Sequence, residues 1–152
     1  MTNAHRTALK TAAVLWVLWG LVHAFAGVMT ILQEPSSGFA AIADGIDPAL
    51  LAHTYHPAVG GVLNQHGWNL LWFGLATVVG AAFIWRGNRT ALWVTAMVGG
   101  LADLGYFLFL DIPGYVNFVP GTVMTLISSA AIVLSAWVGL SYRGSQAAAR
   151  NT

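Results

Sequence analysis

The chain has 152 residues, 57% of them hydrophobic and only 7% charged, with a formal net charge of +1 and a mean hydropathy of +0.70. Soluble domains carry about 25% charged residues, so this composition predicts an all-α integral membrane protein. Cysteine is absent and Lys10 is the one lysine, which excludes disulfides, thiolate metal centres, iron–sulfur clusters and a buried Schiff base to retinal or pyridoxal; so small a net charge offers no basic stripe for nucleic acid.

Residues 1–10 form a short polar lead carrying Arg6 and Lys10. Residues 11–32 are apolar, and at about 1.5 Å rise per residue they are long enough to cross a hydrocarbon core about 30 Å thick. Ala24-Phe25-Ala26 resembles a signal-peptide cleavage site, but the apolar run continues through residues 27–32, so it reads as a retained helix. Residues 33–65 make a connection far longer than most, and such loops are commonly functional. Within it, Pro35-Ser36-Ser37-Gly38 and Asp44-Gly45 read as turns, residues 39–43 as an apolar run, and Asp47-Pro48 as a helix cap followed by proline. A short helix is expected over residues 49–55, and the whole segment reads as a lid of interfacial helices over the bundle mouth. Residues 66–85, 90–110 and 118–142 are the remaining spans, separated by the basic turn Arg86-Gly87-Asn88-Arg89 and the turn Asp111-Ile112-Pro113-Gly114. Residues 141–152 read as a polar, frayed tail. The match of Arg6-Thr7-Ala8-Leu9 to Arg89-Thr90-Ala91-Leu92 involves common residue types and reads as coincidence rather than as a repeat.

Charge orients this single four-helix membrane domain. All six basic residues (Arg6, Lys10, Arg86, Arg89, Arg143, Arg150) fall on the side of the termini and the middle turn, whereas Glu34, Asp44, Asp47 and Asp111 fall on the other. The positive-inside rule then places both termini in the cytoplasm and the loop 33–65 outside, in the cell membrane, which is the inner membrane for a bacterial source. Trp85, Trp93, Trp137 and Tyr142 are expected in the inner aromatic belt, with Trp68, Tyr115 and Phe118 in the outer one.

Helix rise converts position into depth. His23 lies roughly 20 Å above Lys10, Asp103 roughly 21 Å above Arg89, Asn69 roughly 25 Å above Arg86, and Ser128 roughly 22 Å above Arg143. Four helices thus place polar residues in one layer of the outer half of the bilayer. Small or polar stripes share those faces: Gly20, His23, Ala24 and Gly27; His66, Asn69, Phe73, Ala76, Thr77 and Gly80; Ala96, Gly99, Gly100 and Asp103; Gly121, Thr125, Ser128, Ser135 and Gly139. Leucine, isoleucine, valine and tryptophan are left to face lipid, including the stripe Trp16, Trp19 and Phe25, which reads as lipid-facing rather than as a pocket wall.

An aspartate at this depth costs about 2.5–3.5 kcal/mol on insertion scales, whereas intramembrane polar contacts return only about 0.6 kcal/mol. The Asp103–His23 pair therefore reads as a functional site, Asp103 holding the imidazole in one tautomer so that its other nitrogen serves as base or ligand. Asn69, Ser128, Tyr106 and Trp72 are the expected ligand contacts. At the mouth, His53, His56, His66 and Glu34 form a candidate set for a transition metal, though their spacing matches no strong motif. A single-ligand haem stays open. Two axial histidines are disfavoured, because His23 and His66 differ by roughly 10 Å in depth.

The expected function is a site for a lipophilic small molecule or a metal, with proton-transfer chemistry or, with metal, oxidation. The alternative is an accessory or scaffold subunit that meets a membrane-protein partner or a second copy of itself. A transporter or channel comes last, because the inner halves of the stripes are dry apart from Thr77, Thr95 and Ser135.

Overall fold

A computed structural model gives the fold and describes the backbone of residues 2–150 and the side chains of residues 2–141. The order is α1 (Asn3–Leu32), α2 (Pro35–Ile42), α3 (Pro48–Leu51), α4 (Pro57–Trp85), α5 (Arg89–Tyr106) and α6 (Val123–Arg150). A widened π-type turn at Phe107–Asp111 ends α5, and another at Phe118–Thr122 leads into α6. Among the described residues, four helices are long and apolar enough to cross a membrane, and there is no strand.

Each of these helices overruns or redraws the apolar run that announced it. Thr2 caps α1 by accepting from the His5 N–H at 3.3 Å, so the helix starts well before residue 11. His56 caps α4 through Nδ1, which accepts from the Ala58 N–H at 3.2 Å, and Pro57 fills the first helical position. The second long helix therefore begins at Pro57 rather than at 66, and the lid shortens to residues 33–56. Hydropathy marks the part of a helix that lies in lipid, whereas caps and prolines mark its ends. Helix α6 likewise runs to Arg150, where a frayed tail was expected; the side chains of Tyr142, Arg143 and Arg150 lie outside the described residues. Asp47 does cap α3, accepting from the Ala49 N–H at 2.9 Å, but that helix ends at Leu51 rather than spanning 49–55.

Helix α1 packs on α4 and α6, and α5 packs on the same two, so α1 and α5 face each other across the centre. The tightest seam joins α1 to α4. A Cβ on Gly20 would strike the Gly74 carbonyl and one on Gly74 would strike the Gly20 carbonyl; Gly27 and Gly67 stand in the same reciprocal relation. The sums of the paired numbers agree, as antiparallel helices require, and the seven-residue spacing brings two glycine pairs onto one seam. On α4 the buried face is therefore Leu63, Gly67, Gly74, Thr77, Ala81 and Ile84. The expected face containing Asn69 and Ala76 is rotated off it: Ala76 is exposed and Asn69 half-buried.

Where α1 meets α5 the core is aromatic. Trp16 and Trp19 are fully buried and packed edge to face at 5.9 Å, with Trp16 occupying the space that Gly99 leaves open. The expectation that this stripe faces lipid holds only for Phe25, which is 67% exposed. At one end of the bundle Lys10 lies over the Trp85 ring at 5.1 Å and His5 meets Trp137 edge-on, so the start of α1, the end of α4 and the end of α6 lie together. Trp85, Trp93 and Trp137 are exposed there, and Trp68, Tyr115 and Phe118 are exposed elsewhere on the surface.

At the opposite end the lid is tied down. The Asp44 Oδ1 accepts from the Asn117 N–H at 2.8 Å, the Asn117 amide donates to the Asp44 carbonyl at 2.7 Å, and the Gly45 N–H donates to the Tyr115 carbonyl at 3.0 Å. Gly45 is required at this crossing, since a Cβ would stand 2.9 Å from the Tyr115–Val116 backbone.

Gly74→Ala should destabilise the bundle by about 1–3 kcal/mol, as overpacking against backbone does. Gly61→Ala on the same helix, with nothing within 4 Å of its Cβ, should stabilise it by up to about 1 kcal/mol through helix propensity. Thermal unfolding of both variants in one detergent checks the pair; equal effects would contradict the seam.

Candidate functional site

The aromatic column of α1 continues upward into a histidine. Trp16, Trp19 and His23 follow at spacings of three and four, on one face of the helix. The His23 ring stacks on Trp19 with centroids 3.7 Å apart, and its Nδ1 lies 2.8 Å from the Trp19 carbonyl oxygen. A carbonyl only accepts, so Nδ1 carries a proton and Nε2 is the free nitrogen. Nε2 points across the bundle to Asp103 Oδ1 at 3.9 Å. That is close enough for an ion pair and too long for a hydrogen bond. The tautomer is thus held by the Trp19 carbonyl within the same helix and not, as expected, by Asp103.

Asp103 is 5% exposed and Ser128 is 1% exposed. The Ser128 hydroxyl contacts Asp103 Oδ2 at short hydrogen-bonding range and also lies 3.0 Å from the Thr125 carbonyl. One hydroxyl proton cannot serve both acceptors. With Asp103 ionised, Ser128 donates to the carboxylate. With Asp103 protonated, the carboxyl donates to Ser128, which donates onward to Thr125. Rotating one hydroxyl therefore satisfies either state of the acid. A neutral His23 and an ionised Asp103 would leave lone pairs opposed across 3.9 Å, and a proton on either partner relieves that opposition. The Trp19 indole N–H lies within electrostatic reach of Asp103 without closing a good hydrogen bond on it.

Above this pair lies a cavity of about 290 Å³. Its walls are Val22, His23, Ala26 and Met29 of α1, His66 and Leu70 of α4, Tyr106 of α5, and Gly121 and Met124 at the start of α6. Ala41, Ile42 and Asp44 of the lid form its roof, so the latch between Asp44 and Asn117 also closes this space. Tyr106 stands within electrostatic reach of Asp44, Asp103 and Asp111, and Thr122 donates to Asp111 at 2.7 Å, joining the end of α5 to the start of α6.

Of the residues expected at the site, the structure brings Asp103, His23 and Ser128 together and places His23, Tyr106 and His66, but not Asp103 or Ser128, on the cavity wall. Asn69 and Trp72 instead meet each other on an outer part of α4, the Trp72 indole N–H donating to Asn69 Oδ1 at 3.3 Å. The candidate metal set does not assemble: among the described residues no three histidine or carboxylate side chains come together to hold an ion. The reason is the early start of α4. His56 spends its Nδ1 on capping, exposed His53 sits on irregular backbone, and His66 lies ten residues into the helix, roughly 15 Å beyond His56. Glu34 is exposed at the head of α2. The glycine register places His66 only roughly 7 Å above the level of His23, nearer than the depth count suggested. Two contributors are legible only in space. Trp19 is hidden by its lipid-like residue type, and Asp44 by a sequence context that reads as an ordinary turn.

Nitrogen-15 spectra of the histidine rings should show His23 with a protonated Nδ1, and a ring protonated at Nε2 alone would contradict the assignment. Ser128→Ala should cost about 1–3 kcal/mol by leaving a buried oxygen of Asp103 unpaired, read as a lowered melting temperature. No protein-family model, curated protein or solved structure matches this chain.

Proposed function

We propose that this membrane protein binds a small lipophilic molecule in the roofed cavity and can move a proton to or from it through His23. The observation that carries this reading is a lid-covered, mostly apolar cavity lined by His23, the imidazole that Asp103 faces from outside the cavity. The volume is at the lower end of the range for small-molecule pockets, about 300–1,000 Å³, and holds on the order of ten water-sized groups. A molecule of that size would lay its apolar body against Val22, Met29, Leu70 and Met124 and turn its polar atoms towards His23, His66 and Tyr106.

Chemically, neutral His23 presents Nε2 as a base while Trp19 keeps the other nitrogen protonated. With Asp103 ionised beforehand, the proton taken from the ligand makes an imidazolium–carboxylate pair, and Ser128 supports the carboxylate by donation. Taking a proton from an acidic C–H or O–H of the ligand and returning it elsewhere is the chemistry these residues suit. It requires neither a thiol nor an amine nucleophile.

The placement of the basic residues supports an orientation with both termini cytoplasmic and the lid outside, in the cell membrane. The chain has no native cysteine, so single cysteines report topology cleanly. Ser37→Cys should react with an impermeant maleimide in intact cells, and Asn88→Cys only after permeabilisation. The reverse pattern would invert the protein.

Native mass spectrometry of protein released gently from its own membranes tests the site. Wild type should retain a small lipophilic mass, Ala26→Trp should lose it by filling the cavity, and Tyr106→Phe should bind about tenfold more weakly, the loss of roughly one hydrogen bond. Wild type that carries only a stoichiometric partner chain, or a retained mass indifferent to Ala26→Trp, would overturn the proposal.

A further inference from the structure

The Asp103–His23 pair separates two spaces. His23 lines the roofed cavity, whereas Asp103 lines a second, more open groove of about 580 Å³ on the far side, between α5 and α6. The lips of this groove are Met97, Leu101, Leu104 and Leu126, each at least half exposed, as lipid-facing side chains are. Its floor is different. Asp103, Thr125 and Ser128 bring three oxygen-bearing side chains together there, and Ser129 stands exposed beside them.

Thr125 is the informative member. The Thr30 hydroxyl back-bonds to the Ala26 carbonyl and the Thr77 hydroxyl to the Gly74 carbonyl. Among the described residues the Thr125 Oγ1, like the Ser135 Oγ further along α6, is buried without a hydrogen-bond partner, and of the two only Thr125 lines the groove. A hydroxyl in that position costs free energy unless something supplies the missing bond.

We infer that the α5–α6 groove is a second binding site, open sideways to the bilayer, for a neutral lipophile with a single hydroxyl head. Depth excludes an ordinary phospholipid headgroup as the occupant. Asp103 lies eight residues below Asp111, roughly 12 Å further into the membrane along the helix, where a phosphate and its water do not reach. Charge excludes an anion, because no Lys, Arg or His lines the groove. His23 stands 3.9 Å from Asp103 as its own cationic partner, so the carboxylate needs no ammonium from the groove. A hydroxyl both donates and accepts, which is what an unpaired threonine beside a serine–carboxyl contact can use. Its hydrocarbon chain lies along the leucine lips. This site is independent of the roofed cavity and does not require it to be filled.

The test uses the full chain in phosphatidylcholine nanodiscs with hexadecanol bearing a photoactivatable diazirine on its chain. Labelling should map to Met97, Leu101 and Leu126, and excess hexadecanol should suppress it while hexadecane does not. Thr125→Val, which keeps the shape and removes the hydroxyl, should weaken it about tenfold. Ser129→Leu, at an exposed position, should block it. Ala26→Trp should leave it unchanged, which separates this site from the cavity. Equal competition by hexadecane would show only annular lipid, cross-links between two chains would show a second copy in the groove, and labelling unmoved by either groove variant would show no site; each of these overturns the inference. Melting temperatures near wild type for both groove variants establish that they fold.

Discussion

The site is built around one nearly buried carboxyl group, Asp103, which is 5% exposed. Desolvating it is costly, and nothing about helix packing in a bilayer demands a carboxylate there. The surrounding residues supply three remedies from three helices. His23 stands opposite with a nitrogen that can carry the balancing proton, Ser128 supplies a rotatable hydroxyl, and the close approach of α1 to α4 fixes where His23 can stand. A buried ion pair is weak evidence for stabilisation, because desolvating the two charges offsets much of their attraction.

The glycine seam and the tryptophan column are what make that arrangement rigid. Because Gly20 and Gly74, and Gly27 and Gly67, bring two backbones together, α1 cannot slide or rotate on α4 without overlap. Trp16 fills the space left by Gly99, and Trp19 then forms the platform on which His23 lies. A side chain chosen for bulk thus also sets a tautomer, because the Trp19 carbonyl is the partner of His23 Nδ1. At the other end, the lid is closed by an aspartate that both lines the cavity and binds the α5–α6 connection. The cavity wall and the latch therefore share one residue.

The four spans and the pairing of Asp103 with His23 and Ser128 were legible in the sequence, because hydropathy is a one-dimensional property and depth is linear in residue number along a helix. Rotation about the helix axis was less so. On α4, polar and small residues surround the helix, so the face with Asn69 looked as good as the face with Gly67 and Gly74; only the neighbouring backbone distinguishes them. The buried tryptophans were misread for a related reason. Indoles suit the membrane interface, and the glycine that admits Trp16 to the core is on another helix. The histidines of the lid gave an expectation of metal binding that rested on a helix starting at 66 and another over 49–55. The cap at His56 moves those boundaries and, with them, the ligand geometry.

If the pair exists for chemistry rather than for stability, removing both partners together should leave the fold intact and empty the site. The direct measurement is the melting temperature and retained ligand mass of the double variant His23→Phe, Asp103→Leu. A melting temperature within about 4 °C of wild type is expected, about 1 kcal/mol for a chain of this size, with no retained lipophile. A double variant that unfolds far below wild type would make the pair a structural clasp, and one that keeps its ligand would remove His23 and Asp103 from the site.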